Sequence, residues 1–200
     1  MAKVIKTASS YRFLLVPIAL GLLLPSLIMP WITFGLFGTS NLSPIDLLPS
    51  SSDAADSGVT PELVREHPEV IFHDLVKSYN ATSLYMLSMA TYLISIACMI
   101  VSMLMKNQRK MIITLIAGIL AITSAIIWFV MIESVKTNFA QQAALTGGLI
   151  GEEFRGNEKG LADTILKLGI GPYIVSIAGG VGISSYFIQK RTTTTRAVEG

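Results

Sequence analysis

The sequence predicts an all-α membrane protein, a four-transmembrane-helix bundle with an extracytoplasmic cap formed by two loops. Three observations predict it. Of 200 residues, 52% are hydrophobic and 14% charged, against a charged share of about 25% in soluble domains. Four apolar segments reach the about 20 residues that a helix needs to cross a hydrocarbon core of about 30 Å. Basic residues collect on alternate connections between them, as the positive-inside rule requires.

The cytoplasmic N-terminus, 1–11, carries Lys3 and Lys6, and span one follows over 12–31. A charged start before an apolar run also describes a signal peptide. This run is long for one, however, and leads into Pro30, Trp31 and Ile32 instead of a small-residue cleavage site, so it is expected to stay as a span. Pro17 and Pro25 each remove a backbone donor and predict a bend. Tyr11 and Trp31 stand at its two ends, where amphipathic rings anchor at the interface.

The first outer loop, 32–82, has an apolar, glycine-containing start, a linker-like middle at Ser50–Gly58 and a charged second half. Thr60-Pro61-Glu62 reads as a helix start, with a hydroxyl cap, proline at the first position and an acid at the positive dipole end. Pro68 after His67 repeats the signal, so two short helices or one kinked helix are expected, the second running into span two. On it Glu69 and His73 are four apart and Asp74 is adjacent, which makes these three the candidate metal ligands. The competing reading is a solvated helix face. Asn80-Ala81-Thr82 and Asn41-Leu42-Ser43 are glycosylation sequons, the second followed by Pro44.

Span two, 83–105, carries Ser88, Thr91, Ser95, Cys98 and Ser102 at alternating spacings of three and four, one stripe of a helix. Small side chains let backbones approach in lipid, where helix association gains no hydrophobic energy. A polar pathway is the functional alternative, but nothing ionisable accompanies the stripe. The cytoplasmic hairpin 106–110 is short enough to make spans two and three antiparallel neighbours.

Span three, 111–132, offers Ala117, Ala121 and Ala125 for packing, and span four, 168–189, offers Ser176, Gly180 and Ser184. Tyr186 is a further interface anchor. The second outer loop, 133–167, begins as helical continuation, passes Gly147-Gly148, and ends in an amphipathic segment, Leu161–Leu168. Gly169-Ile170-Gly171-Pro172 is read as lacking the preceding strand of a nucleotide site. The cytoplasmic tail, 190–200, is expected to be a flexible polar end, with Thr192–Thr195 a phosphorylation target beside basic residues.

With the N-terminus inside, the cytoplasmic pieces sum to +8 and the outer pieces to −6, which recovers the formal net charge of +2. That small total gives no reason to propose a nucleic-acid partner. Cys98, the single cysteine, excludes an intramolecular disulfide. Neither loop shows a nucleophile elbow, a phosphate-binding glycine loop or a zinc-protease motif.

The layout, together with Trp31 followed by Gly35-Leu36-Phe37, resembles the claudin-like tetraspan superfamily with its tryptophan and Gly-Leu-Trp motif early in the first loop. Phenylalanine replaces the second tryptophan here, and the loop's paired cysteines, which staple a β-sheet ectodomain in that family, are missing. The resemblance implies a left-handed four-helix bundle, an extracellular cap and lateral self-association.

A pump or proton-coupled enzyme buries ionisable groups at mid-membrane, and these spans carry none in their interiors. The sequence therefore predicts a non-catalytic structural or accessory subunit of the cell membrane, without a cofactor. Its partners are the lipid bilayer and other membrane subunits or further copies. Two alternatives stand beside it: a subunit of a metal-dependent oxidoreductase or monooxygenase, and a small oligomeric channel.

Overall fold

The computed structural model describes residues 14–35, 40–48, 68–105, 108–145 and 158–198. Among them the chain is mostly helical. An apolar helix α1, Leu14–Leu27, is followed by strands β1, Ile32–Phe34, and β2, Ser40–Leu42. Helices α2, Pro68–Ser78, α3, Thr82–Leu104, and α4, Gln108–Leu145, come next. The chain then forms α5, Glu158–Ile165, strand β3, Leu166–Leu168, and α6, Gly171–Val198.

Three helices are long and apolar enough to cross a membrane, within Thr82–Leu104, Arg109–Gln142 and Gly171–Ile188. Their outer faces carry Leu87, Ile94, Ile119, Ile126 and Ile177, each about half exposed, which is the reverse of a soluble amphipathic helix. Helix α1 is equally apolar but shorter over its described residues. At its end Pro25 opens a 3-10 turn, Pro25–Leu27, because proline has no N–H to continue the α-helical ladder.

The chain divides into two compact units. The helical unit takes Met1–Ser26, Ser88–Ile126 and Tyr173–Gly200, and the mixed unit takes Leu27–Leu87 and Ile127–Pro172. The helical unit has its core along Tyr92, Ser95, Met99 and Ser102 of α3, Thr114, Ala117, Ala121 and Ser124 of α4, and Val175, Ala178 and Ser185 of α6. Most of these are small, so the backbones come close instead of interdigitating long side chains.

The mixed unit holds the departure from an all-α chain, a three-stranded antiparallel sheet in the order β2-β1-β3. Ile32 pairs with Leu42 on one side and with Leu168 on the other, and Thr33 with Asn41 and Lys167. Because side chains alternate along a strand, Ile32 and Leu42 enter the core while Asn41 and Lys167 stay exposed. The segment after α1 thus folds as sheet at its apolar start without a disulfide, the cross-strand pairs supplying what a staple otherwise would.

Several boundaries move accordingly. Leu168, expected to open span four, is a strand residue, and α6 starts at Gly171. The expected helical segment Leu161–Leu168 splits into the end of α5 and β3. Helix α4 continues past residue 132 to Leu145. The tail Thr192–Thr195 is helical, as part of α6, instead of a flexible end. Helix α2 starts at Pro68, where proline suits the first turn, with Glu69 in that turn and Lys77 in the last, both matching the helix dipole. The expected starts at Thr60-Pro61-Glu62, the Ser50–Gly58 linker, Gly147-Gly148 and Tyr11 lie outside the described residues.

Candidate functional site

In the helical unit the α3 stripe is used. Ser88 and Ser124 donate to each other's backbone carbonyls at 3.0 and 2.9 Å, and Ser95 donates to the Ala117 carbonyl at 2.9 Å. Each of these bonds links α3 to α4 within their apolar stretches. Ser102 donates to Met99 of its own helix. Thr91 and Cys98, the other two members of the stripe, are half-buried at its flank.

Ala117, Ala121 and Ala125 are all fully buried. Between them Gly118 meets α6: a Cβ on Gly118 would lie 2.8 Å from the Gly179 carbonyl oxygen, and one on Gly179 would lie 2.7 Å from the Gly118 carbonyl oxygen. Two backbones touch there, and only glycine on both sides permits it.

Helix α6 does not bury the positions expected of it as its packing face. Ser176 and Gly180 are half-buried, Ser184 is exposed, and a Cβ on Gly180 would meet nothing within 4 Å. The contact face is Val175, Ala178, Gly179, Gly182 and Ser185.

Two residues missed at the sequence level close the end of α1. Tyr92 donates its hydroxyl to the Leu23 carbonyl at 3.0 Å, and Ser26 donates to the same oxygen at 2.6 Å, with the two hydroxyls 2.6 Å apart. Helix ends leave carbonyls without partners, and a buried tyrosine needs a partner for its O–H. A serine one residue after Pro25 and a tyrosine within an apolar run were the available signals.

The mixed unit is organised by aromatic rings. Trp31 and Trp128 meet edge to face at 4.9 Å, and Phe72 lies 6.1 Å from Trp128 and 6.0 Å from Tyr85. All four are almost fully buried. Trp31 is therefore a core residue of this unit, not an exposed interface anchor. A Cβ at Gly171 would land on its indole. The Gly169–Gly171 segment does follow a strand and open a helix, contrary to expectation, yet it serves packing: the Gly169 amide donates to Trp31 and the Gly171 amide to Pro30, both at 2.9 Å.

Residues 43–47 form one helical turn with a capping box. Asp46 accepts from the Ser43 amide at 2.9 Å and from its hydroxyl at 2.6 Å, Pro44 occupies the first helical position, and the Leu47 amide closes on the Ser43 carbonyl at 3.1 Å. The hydroxyl, proline and acid read at Thr60-Pro61-Glu62 have a counterpart here, with the acid one position later, that was overlooked. The Tyr85 hydroxyl donates to the Leu47 carbonyl, which fastens the turn to α3.

The candidate metal ligands do not converge. His73 packs edge to face on Tyr85 at 5.4 Å, while Asp74 is exposed and Glu69 is half-buried. Among the described residues no three His, Cys, Asp or Glu side chains form a metal-binding group. Burial pushes the His73 imidazole below its ordinary 6.5, against the opposing pull of Asp74 and Glu69.

The two sequon asparagines have structural roles. Asn80 takes φ 54° after α2, with its amide on Lys77 at 3.2 Å and the Ala81 amide on Val76 at 2.8 Å, the Schellman arrangement that ends a helix. Asn41 accepts from the Thr33 hydroxyl at 2.9 Å across β1 and β2. Both asparagines are exposed.

On α4, Lys136 reaches Asp163 of α5 at 2.9 Å and Glu133 of its own helix at 3.4 Å with only 12% of its side chain exposed. The Tyr79 hydroxyl donates to Gln142 at 3.0 Å. These contacts fix α5, and with it β3, beside α2 and α4. Comparison of the chain with known protein families, with curated proteins and with solved structures finds no match.

Proposed function

We propose that this is an integral membrane protein of four spans, claudin-like in layout. Both termini and the short hairpin are cytoplasmic, the two larger loops form an extracytoplasmic cap, and the chain serves as a non-catalytic structural or accessory subunit. The observation that carries this reading is how the buried polar groups of the helices are used. Ser88, Ser124, Ser95 and Tyr92 are spent on helix-to-helix hydrogen bonds, and Gly118 and Gly179 on backbone contact. A transport pathway or reaction centre keeps such groups facing a cavity or substrate.

The fourth span is α1, which with residues 12–13 and the turn to Trp31 provides the expected segment 12–31. The orientation rests on the charge asymmetry of +8 against −6. Exposed leucine and isoleucine faces on α3, α4 and α6 are where lipid and partner helices meet the chain.

Purification from native membranes in a mild detergent, with mass spectrometry of co-purifying subunits and metal analysis on the same sample, tests the role. Stoichiometric membrane subunits or self-assembled copies without metal are expected. A lone species carrying stoichiometric metal that disappears in His73→Ala would contradict it, and so would ion conductance from the pure protein in liposomes.

A further inference from the structure

We propose, resting on the four-span reading, that the capped turn Ser43–Leu48 is a membrane-surface anchor: Ile45 and Leu48 enter the boundary between headgroups and acyl chains and seat the mixed unit on lipid. The turn is tied at two points. Leu42, just before it, accepts from the Trp31 amide at 2.8 Å, at the end of the first apolar segment. The Leu47 carbonyl accepts from the Tyr85 hydroxyl. Tyr85 belongs to the first turn of α3, which begins at Thr82 and is long and apolar enough to cross a membrane.

These ties set the height of the turn. Three residues of helix rise about 4.5 Å, and a helical side chain leans back toward the start of its helix, so the phenol oxygen lies near the level of Thr82. The layer between hydrocarbon and water is about 5 to 7 Å thick on each side, and a tyrosine at the end of a spanning helix belongs in it. Other exposed apolar groups mark the same level. The Gly169 and Gly171 amides donate to Trp31 and Pro30 at 2.9 Å, which holds Ile170 between them, 57% exposed, at that end. Ile28, just before it on the chain's first apolar segment, is 71% exposed, and Met86 and Leu87, next to Tyr85, are each 50% exposed.

The turn itself is made to lie against an apolar surface. The Leu48 amide donates to the Ile45 carbonyl at 3.3 Å, so the two side chains, three residues apart, share one face. They are 50% and 46% exposed, while Leu47 is fully buried on the other side. The open donors of a helix start are taken up, since Asp46 accepts from the Ser43 amide and hydroxyl and Pro44 has no N–H. The exposed Asp46 carboxylate is no obstacle, because the headgroup layer is polar. A lone exposed leucine calls for no explanation. Two large aliphatic side chains on one face, fixed to the ends of two apolar segments, form a short interfacial anchor.

Spin labels on single cysteines in a Cys98→Ser background test this in full-length protein in phosphatidylcholine nanodiscs, with oxygen as the apolar relaxer and a nickel chelate as the water-soluble one. For Ile45→Cys and Leu48→Cys the ratio of oxygen to nickel accessibility is expected above that of Asp74→Cys on α2 and below that of Ile94→Cys within α3. In the wild type, a phosphatidylcholine with a diazirine near the top of its acyl chain is expected to leave carbene adducts on Ser43–Leu48, a readout that does not depend on any variant folding. Ratios at the Asp74→Cys level, or a turn without adducts, would overturn the proposal while Ile94→Cys stays in hydrocarbon. Labels shielded from both relaxers would overturn it too, placing a second copy or a partner protein on that face. Ile94→Cys in water would overturn the span reading and the anchor with it.

Discussion

Ser88 and Ser124 exchange hydrogen bonds between α3 and α4, whereas Ser185, just as deeply buried on α6, has a hydroxyl with no partner among the described residues. A buried hydroxyl stabilises only when paired. Ser88→Ala is therefore expected to lower stability by about 0.6 to 2 kcal/mol, and Ser185→Ala to leave it unchanged or raise it. Thermal denaturation of both variants in one detergent separates the two outcomes. The same contrast holds for glycine. Gly118→Ala puts a methyl group into the Gly179 backbone and is expected to cost about 1 to 3 kcal/mol, while Gly180→Ala enters open space and gains helix propensity of up to about 1 kcal/mol. These pairs also mark how far single residues could be read. The α3 serines were legible because their spacing of threes and fours is itself a helix face. The buried face of α6 was not legible because small residues stand all round that helix, at Ser176, Ala178, Gly179, Gly180, Gly182, Ser184 and Ser185, and only packing selects among them. Trp31 gave no sign that it would be buried against Trp128, a partner far along the chain, and an interfacial tryptophan has the same local sequence.

Helices of this length announce themselves because hydrocarbon demands about 20 apolar residues in a row, and α3, α4 and α6 all contain such runs. The strands do not. Ile32–Phe34, Ser40–Leu42 and Leu166–Leu168 are three residues each, too short for alternation to stand out, and β1 pairs with β3 across a stretch of chain that holds the helices α2, α3, α4 and α5. Capping signals were legible where they were sought, at Pro68, and missed at Ser43-Pro44-Ile45-Asp46, where the same chemistry makes a single turn. Because β1 is the middle strand, a proline there must remove a ladder hydrogen bond. Thr33→Pro is expected to speed amide exchange not only at Ser40–Leu42 but also at Leu166–Leu168. Hydrogen exchange with mass spectrometry checks this, and unchanged protection at Leu166–Leu168 would show that β3 is held by α5 and α6 alone.

At the scale of the molecule, hydroxyls of the helical unit such as Ser88, Ser95 and Ser124 bond within it, and rings, a capped turn and a small sheet hold the mixed unit. We propose that the chain crosses the membrane four times with the sheet-bearing loops outside, so that α1 spans although its described part is the shortest of the apolar helices. In a Cys98→Ser background, single cysteines at Ala2, Asn80, Gln108 and Thr194 sample the N-terminus, first outer loop, hairpin and tail. Intact cells treated with a membrane-impermeant maleimide provide the most direct measurement. Labelling of Asn80→Cys in intact cells, with Ala2→Cys, Gln108→Cys and Thr194→Cys reacting only after permeabilisation, is the predicted result. Labelling of Ala2→Cys from outside while Thr194→Cys stays protected would leave three spans and contradict the account.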